Sequence, residues 1–257
     1  MDIYYPDAEG LMPLDEGVVL EVERFECPIK RLDALPHDYL ILIKVSSNII
    51  LKVLHVKPSV NPGEKVFLGD SLGRIIVSGF LSPWSDIHMH LEFRDFHDPY
   101  RALGAFKLDI SKTINALSNP KGFLNTFVVD DVFDQYILLK SSYLNNFQCG
   151  LAVRVGDEYY WVDGGIPHYN YGSILGFNGL GNVHYINDEY MGSIFFRDKY
   201  YSLFKPSCIL FLNGVKVKGV GSYIGLPKLK VILAKEDHDF RVGDIVHLDF
   251  NFSPPKL

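Results

Sequence analysis

Two histidines stand one residue apart in the stretch DIHMHLEFRD, residues 86–95. Side chains two positions apart on a β-strand point to the same side, so His88 and His90 share one face while Met89 lies on the other. Two imidazoles on one face are suited to binding a metal ion together with its water. The same alternation is also typical of a half-buried strand with a solvated outer face. This stretch alone leaves both interpretations open.

The elements around these histidines are predicted to be β-strands. Runs rich in valine, isoleucine, leucine and phenylalanine alternate with turn residues through residues 1–95. The runs are EGVVLEVERFE, DYLILIKVS, NIILKVLHV, EKVFLGD, GRIIVSGFL and IHMHLEFRD. Residues 24–38 combine charges with prolines and are predicted to form a loop between strands.

The pattern changes at residues 96–122, where the sequence DISKTINALSNPKG predicts a short helix. Ile110, Ile114 and Leu117 lie on one side of that helix. We therefore expect an all-β protein with one short helix, in three regions. The regions are a β domain over 1–97, a connecting segment with the helix over 98–122, and a second β-rich region over 123–257.

Strand-like runs return after residue 122. They are FLNTFVVDDVF, YILLKSSYL, GLAVRVGDEYYWVDGG, CILFLNGVKVKGVG, KLKVILAKE and DIVHLDFNF. Residues 166–193 are rich in glycine, asparagine and tyrosine and are predicted to form long loops. Their aromatic side chains could line a pocket for a sugar or peptide, or pack inward, which is the simpler interpretation. These aromatic residues are Tyr169, Tyr171, Phe177, Tyr185 and Tyr190.

Composition limits the classes of partner. The net charge is −6 and no block of basic residues occurs, so we expect neither nucleic acid nor a membrane surface as partner. No apolar run approaches the ~20 residues that span a bilayer, and the first residues lack the features of a secretory signal. Cys27, Cys149 and Cys208 are scattered singly, which indicates reduced thiols and a cytoplasmic location. The oligomeric state is not indicated.

Three segments of the first region, in order, resemble the lysostaphin-type zinc metallopeptidase family, whose members cut peptide bridges and stems of bacterial cell walls. MDIYYPDAEGLMPLDEGVVLEV is similar to the opening of that family, LHVKPSVNPGEKVFLGDSLGRI to its central block, and HMHLEFRD to its closing H-L-H-F-E strand. The resemblance covers residues 1–95. It implies a lysostaphin-peptidase-like β-sandwich built from a duplicated hybrid motif, followed by a β-rich region of unknown type.

The resemblance also implies a role for each of four residues. It assigns Asp2 and His90 as metal ligands for zinc. It assigns His55 and His88 as the catalytic pair that flanks the zinc-bound water, which requires their rings to lie within about 10 Å of each other, two strand spacings. Taken singly, each could be an ordinary edge histidine, a solvated histidine or a mobile terminal carboxylate. The four positions in the family's order favour the shared site.

The sequence departs from the family pattern at one ligand. The family places a histidine a few residues before the aspartate, as H-x-x-x-D, whereas only Met1 precedes Asp2. A catalytic zinc normally has three protein ligands and one open position, and this motif supplies two. The chain is then a pseudo-enzyme, or the histidine lies upstream in a longer protein, or His37 or His97 fills the site. We expect a non-catalytic binding or scaffolding protein for a peptide or protein ligand, with zinc weak or absent; the alternative is an active zinc-dependent peptidase.

Overall fold

The computed structural model describes residues 1–122, 125–141, 148–185, 189–234 and 238–252. The chain divides into two compact units, unit 1 over Met1–Leu108 and unit 2 over Asp109–Leu257. In the described residues nearly all regular structure is β-strand, with one six-residue helix, so the predicted all-β fold class is confirmed. The same residues contain no helix with the length and apolar character needed to cross a membrane.

Unit 1, all of whose residues are described, contains nine strands in two antiparallel sheets. The strands are β1 (Asp2–Ile3), β2 (Glu9–Leu11), β3 (Glu16–Glu26), β4 (His37–Lys44), β5 (Ile49–Leu54), β6 (Val56–Pro58), β7 (Lys65–Phe67), β8 (Ser71–Ile75) and β9 (Met89–Asp95). One sheet has the order β1-β9-β5-β4-β3-β7, and the other has the order β2-β8-β6.

A single apolar core joins the two sheets of unit 1. Ile43 and Leu51 of the six-stranded sheet pack in one cluster with Val56 and Leu72 of the three-stranded sheet. On β9 the buried Met89 and Leu91 alternate with the less buried His90 and Glu92, as the sequence predicts, but the alternation ends there, because Phe93 is only partly buried and Arg94 is fully buried. Burying Met89 in the core therefore turns the side chains of its two neighbours away from it.

Two connections between the strands of unit 1 show how local sequence sets the chain path. Strands β7 and β8 flank a turn at Gly69, whose φ of +87° suits glycine, although the two strands belong to different sheets. The loop predicted over residues 24–38 is shorter than expected. Strand β3 runs to Glu26 and β4 starts at His37, because these two residues are register partners in the β3–β4 pairing.

Unit 2 begins with helix α1 (Ser111–Ala116) and continues as strands. Those in the described residues are β10 (Thr126–Val132), β11 (Tyr136–Ser141), β12 (Ala152–Val155), β13 (Glu158–Ile166), β14 (Gly172–Leu175), β15 (Asn182–His184), β16 (Tyr190–Arg197), β17 (Tyr201–Pro206), β18 (Cys208–Leu212), β19 (Val215–Tyr223), β20 (Leu226–Leu233) and β21 (Ile245–Phe252). Ile114 of α1 is buried against Trp161 and Leu175, with Ile110 and Leu117 beside it, which confirms the predicted apolar side.

The strands of unit 2 pair into two closed six-stranded rings. The first has the order β12-β15-β16-β17-β14-β13 and closes through the β12–β13 pair. The second has the order β19-β18-β21-β10-β11-β20 and closes through the β19–β20 pair. Strand β13 also pairs with β19, so the two rings share a continuous set of hydrogen bonds. Closure leaves few strand edges exposed.

The prediction of long loops over residues 166–193 is wrong for the described part of that stretch, residues 166–185 and 189–193; residues 186–188 lie outside the described residues. This stretch contains β14, β15 and the start of β16. Two of its glycines lie within strands and permit close packing: a Cβ at Gly172 would stand 2.7 Å from the ring of Phe204, and one at Gly192 would stand 2.1 Å from the carbonyl oxygen of Lys205. Glycine inside a strand often marks such a close approach.

The aromatic residues of that stretch divide between the interior and the surface. Tyr185 is buried and Phe177 packs against the core of unit 2. Tyr169 and Tyr171 are instead exposed, by 42% and 53% of their surface. The predicted inward packing is therefore confirmed for Tyr185 and Phe177 and is wrong for Tyr169 and Tyr171.

Candidate functional site

The four residues assigned from the resemblance meet at one end of the β5–β9 pair. Leu54, the last residue of β5, lies opposite His90 of β9. His55 directly follows Leu54, and His88 comes two residues before His90, so both lie at the same end of the strand pair. Asp2 lies opposite His90 in the β1–β9 pair. The ring centroid of His55 is 5.3 Å from that of His88 and 6.0 Å from that of His90. The required proximity of His55 and His88 is confirmed, while the roles of all four residues stay predictions.

These four residues, Asp2, His55, His88 and His90, are called the histidine cluster below. Its carboxylate contacts two of the rings: Asp2 Oδ1 lies 2.7 Å from His90 Nδ1 and 3.6 Å from His88 Nε2. Partial burial raises the pKa of the Asp2 carboxyl, but the hydrogen bond from His90 and the nearby imidazole charges outweigh it, so the net pKa is lowered. Asp2 is therefore ionised at neutral pH and holds β1 beside β9.

Carboxylates occupy both ring nitrogens of His90. Nδ1 faces Asp2, and Nε2 lies 3.2 Å from Glu92 Oε1. Glu92 Oε2 in turn lies 3.4 Å from Lys52 Nζ and 3.4 Å from Arg94 Nη1. Lys52 and Arg94 are buried. Glu92 therefore links the histidine cluster to two buried cationic side chains.

This geometry does not fit the zinc ligands that the resemblance assigns. Two atoms bound to one tetrahedral zinc stand about 3.3 Å apart, given metal–ligand distances near 2.0–2.1 Å. The 2.7 Å between Asp2 Oδ1 and His90 Nδ1 is instead a hydrogen bond, so a proton lies where the ion would have to enter. Across the described ranges, no group of three or more His, Cys, Asp and Glu side chains is arranged to hold a metal ion.

The two histidines considered as substitute ligands lie outside the cluster. His37 accepts a hydrogen bond from Arg24 Nη2 at 3.0 Å when its Nδ1 is unprotonated, and its ring packs edge-on against Tyr39. The ring of His97 packs against Phe96. Neither is among the described contacts of Asp2, and the interpretation that one of them completes the site gains no support.

Asp38 is a member of the site that the sequence reading missed. It is the second residue of β4, is fully buried, and contacts His55. Asp38 Oδ2 accepts from His55 Nδ1 at 2.6 Å and from Ser78 Oγ at 2.9 Å, and Oδ1 accepts from the backbone N–H of His55 at 3.0 Å. Burial raises the pKa of Asp38, but the hydrogen bond from His55 leads the effects that outweigh it, and the net pKa is lowered.

His55 adopts an unusual backbone conformation to make these contacts. Its φ is +66°, in the left-handed region that side chains with a Cβ rarely adopt. Such conformations cost on the order of 1–3 kcal/mol and persist where neighbouring contacts hold them, often at functional sites. Here both the backbone and the ring of His55 are bound to Asp38, which supplies the compensating contacts.

His88 is held from its other side by the backbone. Its Nδ1 lies 2.9 Å from the carbonyl oxygen of Asp86, and the ring of Tyr4 stands 5.2 Å away. Burial lowers the pKa of His88 and the nearby charge of Asp2 only partly offsets that effect. His88 is therefore predominantly neutral at pH 7, and a carbonyl partner requires its proton on Nδ1.

Comparison with known proteins places both units in one family. The model for the Domain of unknown function (DUF8155) N-terminal domain matches residues 1–110, and the model for its C-terminal domain matches residues 120–251. No curated protein and no solved structure matches the chain.

Proposed function

The chain belongs to the DUF8155 family, and we propose that its histidine cluster binds a ligand without catalysing a reaction on it. In this proposal unit 1 is a lysostaphin-peptidase-like β-sandwich that keeps the histidines of the metallopeptidase site and lacks a complete zinc site. The observation that carries the proposal is the pair of carboxylates on the two ring nitrogens of His90. A histidine binds metal through a nitrogen whose lone pair faces the ion, whereas both ring nitrogens of His90 face carboxylate oxygens of the protein.

A peptide or a segment of a protein is the proposed ligand. Peptides carry N–H donors and C=O acceptors along their whole length, and the cluster offers imidazole nitrogens together with the Asp2 carboxylate. Tyr4, which is half exposed beside His88, adds an aromatic surface at the same place. Binding sites commonly combine a few such polar groups with aromatic contact area.

A zinc-dependent peptidase is the second candidate function. It is supported by the convergence of residues from three separate segments on one point, with His55 and His88 at a ring distance of 5.3 Å. For this candidate the hydrogen bond between Asp2 and His90 must open, and a third protein ligand must be supplied. The binding proposal needs neither change.

Metal content and cleavage separate the two candidates. After dialysis, elemental analysis should give far less than one zinc per chain, and glycine-rich or wall-derived peptides should stay intact with and without added zinc. The matched variants are His90→Ala and His97→Ala, since His97 is an exposed histidine of the same unit outside the cluster. Near-stoichiometric zinc, with cleavage lost in His90→Ala and kept in His97→Ala, would replace the binding proposal by the peptidase.

Binding itself is tested by nuclear magnetic resonance of the histidine rings. Adding a glycine-rich peptide to the full chain should shift the ring signals of His55 and His88 and leave those of His97 unchanged. Equal shifts at all three rings, or none at millimolar peptide, would contradict a peptide site at the cluster.

A further inference from the structure

We infer that Asp38 is a positioning residue that fixes the proton of His55 on Nδ1 and so makes Nε2 the atom that His55 presents to a ligand. The consequence for the ligand rests on the proposed function, whereas the position of the proton does not. The ligand group that meets His55 is then a hydrogen-bond donor, such as a peptide N–H.

The contact between Asp38 and His55 determines where the proton lies. An ionised carboxylate only accepts hydrogen bonds, so the ring nitrogen 2.6 Å from Asp38 Oδ2 must carry the hydrogen. A neutral imidazole has one N–H, and placing it on Nδ1 leaves the lone pair on Nε2. Among the described residues, the hydrogen bonds of the His55 side chain end at Asp38, so Nε2 remains for a ligand.

The carboxylate of Asp38 is itself held in place. Oδ1 accepts from the backbone N–H groups of Tyr39, at 2.7 Å, and His55, at 3.0 Å. Oδ2 accepts from Ser78 Oγ at 2.9 Å as well as from the ring. Four donors on two oxygens prevent the carboxylate from turning, and a ring held by such an oriented carboxylate keeps one tautomer.

The neighbouring ring has the same polarity. His88 Nδ1 faces the Asp86 carbonyl oxygen, which only accepts, so the lone pair of neutral His88 is also on Nε2. His88 Nε2 lies 3.6 Å from the Asp2 carboxylate, whereas His55 Nε2 is the acceptor offered to a ligand. A ligand that brings a hydrogen-bond donor satisfies His55, and one that brings only acceptors does not.

The position of the proton can be read directly from nitrogen-15 spectra of the rings in the full chain, at a pH where His55 is neutral. In the wild type we expect the proton of His55 on Nδ1. In Asp38→Asn the amide oxygen can keep the backbone N–H of His55 while the NH₂ group faces Nδ1, so the proton should move to Nε2. In Ser78→Ala the proton should stay on Nδ1, because the contact between Asp38 and His55 remains.

Each outcome decides the inference. A wild-type proton on Nε2, or an Nδ1 proton retained in a folded Asp38→Asn chain, would overturn it. Should Asp38→Asn fail to fold, the wild type and Ser78→Ala still decide the tautomer. A glycine-rich peptide that binds the wild type should bind Asp38→Asn at least tenfold more weakly; equal affinity would overturn the acceptor role of Nε2. Absence of peptide binding to the wild type would refute the proposed function and leave the tautomer result standing.

Discussion

Removing the carboxylate of Asp38 should destabilise unit 1 severely. Asp38→Ala withdraws the acceptor of four donors, and both His55 donors are buried. Each buried donor without a partner costs about 1–3 kcal/mol, so the two His55 donors together cost about 2–6 kcal/mol. The positive φ of His55 would also lose the contacts that hold it. We therefore expect the free energy of unfolding of unit 1 to fall by about 3–5 kcal/mol, the middle of the range for two buried donors.

Hydrogen exchange followed by mass spectrometry measures this loss in the full chain. Peptides from β4 and β5 report the opening of unit 1 without interference from unit 2. A loss of about 3–5 kcal/mol corresponds to exchange that is faster by roughly two to four orders of magnitude. Asp7→Ala is the matched control, because Asp7 is an exposed aspartate of the same unit, and its effect should stay within about 0.5 kcal/mol.

The refuting result is specific. If Asp38→Ala exchanges within a few-fold of Asp7→Ala in the β4 and β5 peptides, the buried hydrogen bonds of Asp38 do not hold His55 in place. The positioning role would then lose its energetic basis.

Three further predictions concern unit 2. Burial lowers the pKa of His168 to about 4. Between pH 6.5 and 4 the unfolded chain therefore binds a proton that the folded chain does not, and the free energy of unfolding should fall by about 3 kcal/mol as the pH falls through this range. Unfolding curves at several pH values should show this slope in the wild type and a flatter one in His168→Gln. Gly192→Ala places a Cβ 2.1 Å from a backbone oxygen of β17 and should cost about 1–3 kcal/mol or more in urea unfolding; an unchanged midpoint would contradict the close approach. Burial raises the pKa of Cys149 and Cys208 to about 12, so a thiol reagent at pH 8 should label partly exposed Cys27 first, and equal labelling of all three in the folded chain would count against it.

Features encoded in short stretches were predictable from the sequence. The alternation in residues 86–95 placed His88 and His90 on one face because the period of a strand is a local property. The short apolar runs of residues 1–95 likewise predicted most strands. The glycine-rich stretch over 166–193 was misjudged because glycine is typical of both turns and close-packed strands. Only the pairing partner, here β17, decides between them.

The support of the site was not predictable, because it depends on contacts far apart in the chain. Asp38 lies 17 residues before His55 and 40 residues before Ser78. An aspartate at the head of the run DYLILIK resembles an ordinary strand boundary. The left-handed backbone conformation of His55 was not predictable from the sequence either, because the preference of histidine for positive φ is too weak to identify one such position.

The closure of the second ring of unit 2 joins the first strand of the unit to its last, which affects when the ring can form during synthesis of the chain. Strand β10, the first of the unit, pairs with β21, and Thr126 lies opposite His247. On a ribosome the ring consequently cannot close until residue 252 has been synthesised and released from the exit tunnel. Before that moment the ladder edge of β10 that faces β21 is unpaired, and such edges are where nascent chains associate wrongly. The closed ring thus makes this edge of β10 wait for the last strand of the unit.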